Sequence, residues 1–187
     1  MGPQRFVLAS ASPRRAELLL AAGFDFDVVP GTTDETRHPG ESADAYVRRI
    51  AEAKARTVRE HAKGLPILAA DTVVIVDDTI LGKPTDEADA RRMLTLLSGR
   101  THVVMTGVTL SHAIVQTHVE RTAVEFAALS RDEIEWYAGS GEPDDKAGAY
   151  AIQGLASRFI RRIEGSYSNV VGLPVALVYQ LLGTEPS

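Results

Sequence analysis

Residues 10–15 combine a helix start with two cations. Ser12 is a good N-cap and Pro13 suits the first helical position, so Arg14 and Arg15 are expected in the first helical turn. A helix N-terminus presents unpaired N–H groups and about half a positive charge, which favours an anion and disfavours cations. The segment is therefore typical either of a phosphate site, to which Ser10 would contribute, or of a solvated arginine pair on an ordinary helix.

Carboxylates follow an apolar run and also occupy a polar loop. Asp71 comes directly after the apolar residues 65–70, so we expect it at the carboxyl end of a core strand, where open α/β sheets bind ligands. Asp34 and Glu35 lie in the polar segment 31–41. Asp71 could instead form a turn, and the loop carboxylates could simply be solvated.

Three further polar side chains carry weaker signals. Lys54 lies among alanines on a predicted helix, where a lysine that extends its amine to solvent is the ordinary account. Lys83 lies in the constrained turn of residues 82–84. Gln153 ends an apolar run beside a glycine and could either read the edge of a nucleotide base or close a turn.

Alternating strand and helix patterns must position these side chains. Helices are predicted at residues 13–22, 42–62, 130–139, after Pro174, and from a cap at Thr85 to Gly99. Strands are predicted at residues 6–9, 24–29, 65–70, 102–110, 114–126, 149–153 and 159–163, with a strand pair in 72–81 turned around Asp77 and Asp78. This order predicts an α/β or α+β fold with a mixed sheet.

Bulk properties narrow the class of protein. A chain of 187 residues fits one domain, or one domain of two lobes. A net charge of −5 gives no general attraction to nucleic acid or anionic membranes, so an anionic ligand needs a local cluster of cations. Residues 1–4 lack a charged region followed by a long hydrophobic one, so we expect no signal peptide, and no stretch approaches the roughly 20 apolar residues of a membrane span. The expected location is the cytoplasm.

Missing motifs exclude several kinds of enzyme. The absence of cysteine rules out thiolate zinc sites and cysteine nucleophiles. The sequence has no Gly-x-x-x-x-Gly-Lys-Ser/Thr loop, which excludes a P-loop NTPase. It also lacks a Gly-x-Ser-x-Gly elbow, the usual site of a hydrolase nucleophile.

Taken in order, the polar segments resemble the Maf family of nucleoside triphosphate pyrophosphatases. The matching segments are residues 8–15, Asp34 with Glu35, residues 53–55 around Lys54, 70–74, 82–84, 145–154 and 165–174. One such motif alone is a weak signal, but the ordered set extends along nearly the whole chain. It therefore favours the functional interpretation of each segment over the ordinary one.

The resemblance implies a mixed twisted sheet with flanking helices around a deep cleft, similar to that of inosine triphosphatases. It implies a single domain of two lobes, residues 1–187, which often forms a homodimer. The implied reaction is hydrolysis of a nucleoside triphosphate between the α- and β-phosphates. It gives the monophosphate and pyrophosphate and uses a divalent metal such as Mg²⁺, Mn²⁺ or Co²⁺.

The resemblance also assigns roles to individual residues. Asp71 matches the proton acceptor that activates water, and Glu35, with Asp34, matches the acidic loop of the cleft. Asp71 and Glu35 are the expected metal ligands. The positions that match the substrate and phosphate ligands are Ser10, Arg15, Glu35, Lys54 and Lys83.

Three positions match the members of the family that act on dTTP and UTP, namely Arg14, Thr72 and Gln153. A sister group that acts on 7-methylguanosine triphosphate has a tryptophan, a glutamine and a glutamate there. A carboxamide both donates and accepts hydrogen bonds, so Gln153 can match O4 and N3–H of uracil or thymine. Residues 155–158 are larger than is usual in the family and could alter the rim of the cleft.

Two other functions are compatible with the same motifs. One is the removal of modified pyrimidine nucleotides, with dTTP merely tolerated. The other is a nucleotide-sensing regulator of cell division, since the family has been linked to septum formation. Intact Asp71, Arg15 and Lys83 favour an enzyme, because a pure sensor does not need a base.

Overall fold

Strands and helices alternate along residues 5–183, the part of the chain that this computed structural model describes. The strands are β1 (Phe6–Leu8), β2 (Phe26–Val28), β3 (Ile67–Val76), β4 (Thr79–Leu81), β5 (Thr101–Ser111), β6 (Val115–Phe126) and β7 (Ile160–Glu164). The α-helices are α1 (Pro13–Ala21), α2 (Ala43–Thr57), α3 (Glu87–Leu97), α4 (Arg131–Ala138), α5 (Tyr167–Val171) and α6 (Val175–Gly183). Of the helices in this range, none is long and apolar enough to cross a membrane. The prediction about a signal peptide concerns residues 1–4, which lie outside the described range.

The seven strands form a mixed sheet in the order β2-β1-β3-β5-β6-β7, with β4 paired to β3. Strand β1 is parallel to β2 and β3, whereas the pairs β3–β4 and β6–β7 are antiparallel. This confirms the predicted mixed α/β fold. The sheet and its helices divide into two compact units. The single domain with a deep cleft remains a prediction.

Unit 1 contains the chain up to Thr72, residues Thr106–Glu120 and the chain from Gly172 onward. Successive residues of β1 point to opposite faces of the sheet, as the pleat requires. One face packs against α1 and α6, and the other packs against the end of α2. Because both faces of β1 are buried, its sequence is a continuous apolar run.

Unit 2 contains residues Val73–Met105 and Arg121–Val171. Its core is formed by apolar and aromatic side chains from α3, α4 and the neighbouring strands. Helix α4 begins with the predicted capping box, in which Ser130 Oγ accepts from the Glu133 amide and the Glu133 carboxylate accepts from the Ser130 amide. Tyr137 of α4 is fully buried in this core.

Two predicted helix boundaries are wrong for local reasons. The helix after Thr85 is capped by Asp86, whose side chain accepts from the Asp89 amide. Helix α2 ends at Thr57 instead of continuing to residue 62, and a 3₁₀ turn follows it. At this end Thr57 Oγ1 donates to the Lys54 carbonyl at 2.9 Å, a side-chain bond that competes with helical bonding.

Two predicted strand assignments are also wrong. Most of the two predicted segments 65–70 and 72–81 joins into the single strand β3, Ile67–Val76, so Asp71 lies inside a strand and not at its end. Residues 149–153 are not a strand, because Gly148 and Ala149 have φ values of +71° and +60°. These left-handed residues interrupt the extended run, and Gln153 lies in a turn.

Candidate active site

Asp71 is a buried carboxylate in the interior of β3, with 6% of its surface exposed. A charged group is found inside a strand only when it has a partner, and Asp71 Oδ1 accepts from Lys54 Nζ at 2.7 Å. Burial raises the pKa of Asp71, while the charge and hydrogen bond of Lys54 oppose that rise. Asp71 therefore holds a proton more readily than an exposed aspartate does.

Lys54 extends from α2 and joins two carboxylates. Its Nζ lies 2.7 Å from Asp71 Oδ1 and 2.7 Å from Glu35 Oε1. The Lys54 side chain is only 12% exposed, whereas that of Glu35 is 51% exposed. We call this arrangement the Asp71–Lys54–Glu35 triad. It brings together a base candidate, a cation and a solvent-facing carboxylate.

Gly31 lies against the backbone of Lys54. A Cβ atom at residue 31 would lie 2.7 Å from the Lys54 carbonyl oxygen, closer than such atoms approach in proteins. The start of the polar loop therefore lies directly against α2 at the turn that carries Lys54. A side chain here would displace either the loop or the lysine.

The loop that carries Glu35 is fixed by two α2 side chains that the sequence analysis did not single out. Tyr46 Oη donates to the Glu35 carbonyl at 3.0 Å. Arg49 donates to both carboxylate oxygens of Glu41, at 2.6 and 2.8 Å, and to the Thr36 carbonyl. Burial, together with the charges of Asp71 and Glu35, raises the pKa of Tyr46 to about 12. The spacing of Tyr46 and Arg49 on one helix face is a signal that could have found them.

Arg15 is buried, and four of its five N–H groups donate to protein acceptors. Nε donates to the Gly172 carbonyl at 2.8 Å, and Nη1 donates to the Ala70 carbonyl at 2.7 Å. Nη1 also donates to Ser10 Oγ at 3.2 Å, and Nη2 donates to Thr72 Oγ1 at 3.0 Å. Burial lowers the pKa of Arg15, but a guanidinium remains charged. Arg15 thus joins the start of α1 to β3 on either side of Asp71.

The start of α1 has the predicted position but lacks the predicted cap. Ser12 occupies the N-cap position, and its side chain makes no capping hydrogen bond. Ser10 is 4% exposed, and its Oγ accepts from the Ser12 amide at 3.2 Å. Arg14 is half-buried in the first turn. The N–H groups of this turn thus have no cap from Ser12, which is the condition for binding an anion.

Thr72 is half-buried and belongs to the same network as Arg15. Its Oγ1 lies 3.0 Å from Thr106 Oγ1 and 3.3 Å from the Gly172 carbonyl. The hydroxyl therefore ties Arg15 to β5 as well as to β3. Together, the triad and the Arg15 network bring six of the predicted residues into one part of unit 1: Ser10, Arg15, Glu35, Lys54, Asp71 and Thr72.

Of the other three predicted residues, Arg14 lies next to Arg15 in α1, whereas Lys83 and Gln153 belong to unit 2 and are exposed. Lys83 directly follows Gly82, whose carbonyl accepts from the Gly148 amide at 2.9 Å. Gln153 lies in the turn of residues 152–154. Within unit 2, the Lys83 loop is thus bonded to the segment that leads to Gln153.

Asp71 and Glu35 have the chemistry to hold a divalent cation. One oxygen of each carboxylate contacts the same ammonium group, at 2.7 Å from Lys54 Nζ. Among the described residues no three His, Cys, Asp or Glu side chains gather into one cluster. Mg²⁺ usually binds through one or two carboxylates, water and substrate phosphates. The pair therefore fits an ion that arrives with a phosphorylated substrate.

The fold as a whole is similar to one that has been solved before. The structure of the Staphylococcus aureus Ham1 protein superposes with a TM-score of 0.55, at 15% identity, over 98% of this chain and 100% of that one. At this identity the likeness concerns the fold alone. A family model described as Maf-like protein matches residues 5–185. The chain therefore belongs to the Maf family, which confirms the resemblance drawn from its motifs.

Relatives at about half identity carry a more specific name. A protein of Anaeromyxobacter sp. (strain Fw109-5) is 53% identical over 95% of this chain and 88% of its own length. One of Myxococcus xanthus (strain DK1622) is 54% identical over 94% of this chain and 90% of its own length. Both relatives are named dTTP/UTP pyrophosphatase.

Proposed function

We propose that this protein hydrolyses dTTP and UTP between the α- and β-phosphates and releases pyrophosphate and the nucleoside monophosphate. The observation that carries this proposal is the Asp71–Lys54–Glu35 triad, in a chain half identical to relatives named for that activity. The triad combines a carboxylate of raised pKa with cationic and anionic neighbours. Such a combination suits attack on a charged phosphate by a deprotonated water.

Asp71 is the proposed general base. Water oxygen attacks the α-phosphorus, the Asp71 carboxylate takes a proton from that water, and the bond from the α-phosphorus to the bridging oxygen breaks. The departing pyrophosphate keeps the electron pair of that bond. The raised pKa of Asp71 makes its carboxylate a better proton acceptor than that of an ordinary aspartate.

The proposed phosphate ligands differ in how free they are to bind. Lys83 is exposed, and Lys54 offers an ammonium next to Asp71. Arg15 has one N–H beyond the four already bonded to the protein. Its contribution is therefore mainly its positive charge and the placement of Ser10 and the first turn of α1, whose N–H groups favour an anion.

Asp71 and Glu35 are the proposed ligands of Mg²⁺, Mn²⁺ or Co²⁺. A bound ion would supply additional positive charge to the phosphate oxygens and the leaving pyrophosphate. The chain already holds the two carboxylates that would bind the ion, each in contact with Lys54. Tyr46 keeps Glu35 in place through its backbone.

Substrate choice is assigned to Arg14, Thr72 and Gln153, as the family resemblance implies. Thr72 acts through the network that fixes Arg15. Gln153 is exposed, so its amide is free to pair with O4 and N3–H of a uracil or thymine base. A homodimer, also implied by the resemblance, remains a prediction.

A panel of triphosphates with identification of the first product tests the proposal. We expect pyrophosphate from dTTP and UTP in the presence of Mg²⁺, Mn²⁺ or Co²⁺, and slower hydrolysis of purine triphosphates. Orthophosphate as the first product, or a purine preference, would contradict it. Methylated or oxidised pyrimidine triphosphates belong in the panel, because a higher kcat/KM for these would make modified nucleotides the preferred substrates.

Replacing the base provides the sharpest single-residue prediction. Asp71→Asn keeps the size of the side chain but cannot accept the proton, so kcat should fall by about a thousandfold or more. Nucleotide affinity, measured by calorimetry on the same protein, should change much less. Asp77→Asn is the control, since Asp77 is an exposed aspartate in the turn after β3. Near-normal turnover in Asp71→Asn would remove Asp71 as the base.

A further inference from the structure

The turn that carries Gln153 is held at both ends by hydrogen bonds to a single pair of side chains. The Ala151 amide, before the turn, donates to Tyr137 Oη at 3.1 Å. The Leu155 amide, after the turn, donates to Glu142 Oε2 at 2.9 Å, and the Ala156 amide donates to Glu142 Oε1 at 3.3 Å. All of these residues belong to unit 2.

The two anchoring side chains are bonded to each other. Tyr137 Oη donates to Glu142 Oε1 at 2.7 Å. Tyr137 is fully buried, and its ring packs edge-on against Phe159 with centroids 5.6 Å apart. Burial, followed by the bond to Glu142, raises the pKa of Tyr137, so its O–H remains available as a donor. We call this pair the Tyr137–Glu142 clamp.

Gly154 allows the carboxylate to lie directly against the turn. A Cβ atom at residue 154 would be 2.0 Å from Glu142 Oε2, so no side chain fits there while Glu142 is in place. Glu142 is itself held by its neighbours, because its amide donates to Ser140 Oγ at 3.2 Å and its carbonyl accepts from Lys146 Nζ at 3.0 Å. With its backbone held in this way and its carboxylate bonded to Tyr137 and to two amides, Glu142 is a fixed support for the turn.

We propose that Tyr137 and Glu142 are positioning residues for base recognition, acting through the turn that presents Gln153. The inference rests on the proposed function, in which Gln153 reads the base. Gln153 is exposed, so the protein controls its position chiefly through the backbone of the turn. A fixed turn places the amide where two hydrogen bonds to a pyrimidine form together, and a loosened turn loses that advantage.

The clamp should affect substrate choice and apparent affinity more than the chemical step. In Tyr137→Phe and Glu142→Gln, the loss of a hydrogen bond to a charged or buried partner should raise KM for UTP roughly tenfold, with kcat changed by about twofold or less. The preference for UTP over CTP and GTP, taken as a ratio of kcat/KM values, should fall by a similar factor. Because both residues act through one clamp, the double variant should lose less than the product of the two single losses.

The decisive measurement repeats these comparisons in a Gln153→Ala background. If the clamp acts through Gln153, Glu142→Gln should cause no further loss of base preference there. Glu133→Gln is the matched control, because Glu133 is also a carboxylate that accepts a backbone amide of unit 2, at the start of α4. That variant should keep the base preference of the parent protein.

The outcomes separate this inference from the function on which it rests. If the parent protein releases no pyrophosphate from UTP, the proposed function fails. If it does, and the clamp variants keep the parent KM and base preference, the clamp has no positioning role. An equal loss with and without Gln153 would also overturn the inference. Amide hydrogen exchange at residues 151, 155 and 156, which should become faster in Tyr137→Phe and Glu142→Gln, checks that the turn has loosened in a folded protein.

Discussion

Lys54 has two effects on the residues around it. Its ammonium stabilises the ionised form of Asp71, which burial alone would disfavour. It also links Asp71 to Glu35 through two contacts of 2.7 Å. The pKa of Asp71 is therefore set mainly by a competition between desolvation, which raises it, and Lys54, which lowers it with a smaller contribution from Arg15. That competition can be altered by substitution at residue 54.

Lys54→Met should move the acid limb of the pH–rate profile to higher pH. Burial already raises the pKa of Asp71. As the pH is lowered, the activity of the parent protein should therefore begin to fall at a higher pH than the pKa of an ordinary aspartate would give. Removing Lys54 removes the two largest causes that lower this pKa and leaves only the charge of Arg15, so the limb should move to still higher pH. The measurement is kcat/KM for dTTP from acid to neutral pH.

Arg56→Met is the control for that experiment, since Arg56 is an exposed cation on the same helix. Its profile should coincide with that of the parent protein. An acid limb that stays in place in Lys54→Met would mean that the limb reports a group other than Asp71.

At this scale the sequence indicated which residues matter but not how they are bonded. The segment 10–15, with its helix start and two cations, was typical of either an anion site or a solvated arginine pair, and the family resemblance favoured the first. The segment could not indicate that Arg15 donates to the carbonyls of Ala70 and Gly172. Every residue has a backbone carbonyl, so the identity of a residue does not show whether its carbonyl accepts a hydrogen bond from a distant side chain. The roles of Tyr46 and Arg49 were not predicted, because a tyrosine and an arginine three residues apart are common on the surface of an amphipathic helix.

Among the elements, α1 and β3 share an apolar core and are also joined by hydrogen bonds from one buried side chain, Arg15. Arg15→Met would remove a buried guanidinium that donates to two carbonyls and two hydroxyls. The carbonyls of Ala70 and Gly172 would lose this donor, so the free energy of unfolding should fall by about 3 kcal/mol. Denaturant unfolding followed by circular dichroism measures the change.

The matched substitution is Arg162→Met, which removes an arginine whose side chain is 70% exposed and whose ion pair with Glu164 is 3.3 Å long. Such a pair contributes about 1 kcal/mol or less. Equal losses in the two variants would contradict the structural role given to Arg15.

Long strands and capped helices could be predicted from the sequence, whereas elements that depend on distant partners could not. Strands β5 and β6 and helix α4 lie close to their predicted positions, because their patterns and capping box are local signals. Strand β3 was divided at Asp71, since an aspartate ordinarily ends a strand. Only the contact with Lys54, 17 residues away in sequence, makes this residue acceptable in the interior of β3.

At the scale of the whole molecule, one buried histidine should make the free energy of unfolding depend on pH. His102 is 1% exposed, and its Nε2 lies 2.8 Å from Tyr150 Oη. Burial lowers the pKa of His102 from 6.5 to about 4. The unfolded chain therefore takes up a proton at this residue before the folded chain does, and stability should be lost as pH falls from about 6.5 to about 4. The full effect is on the order of 3 kcal/mol.

His102→Gln should flatten this dependence, as measured by the free energy of unfolding at a series of pH values. Asp71 acts in the opposite direction, because its raised pKa makes the folded chain the better proton acceptor. The comparison between variant and parent cancels that contribution. His61→Gln, at an exposed position, should leave the pH dependence as it was, and a His102→Gln curve parallel to the parent would refute the prediction.

The ammonium between Asp71 and Glu35 gives the two carboxylates a counter-ion that is part of the chain itself. Proteins whose carboxylates or thiolates wait for an outside ion couple their folding to metal supply, and chelators unfold them. Here a chelator should stop turnover of dTTP and leave the melting temperature within about 2 °C of that of the Mg²⁺-loaded protein. A large fall in melting temperature would mean that Lys54 does not replace the ion. At low concentrations of divalent metal the protein would thus remain folded but inactive, and its activity would return when the ion is added, without refolding.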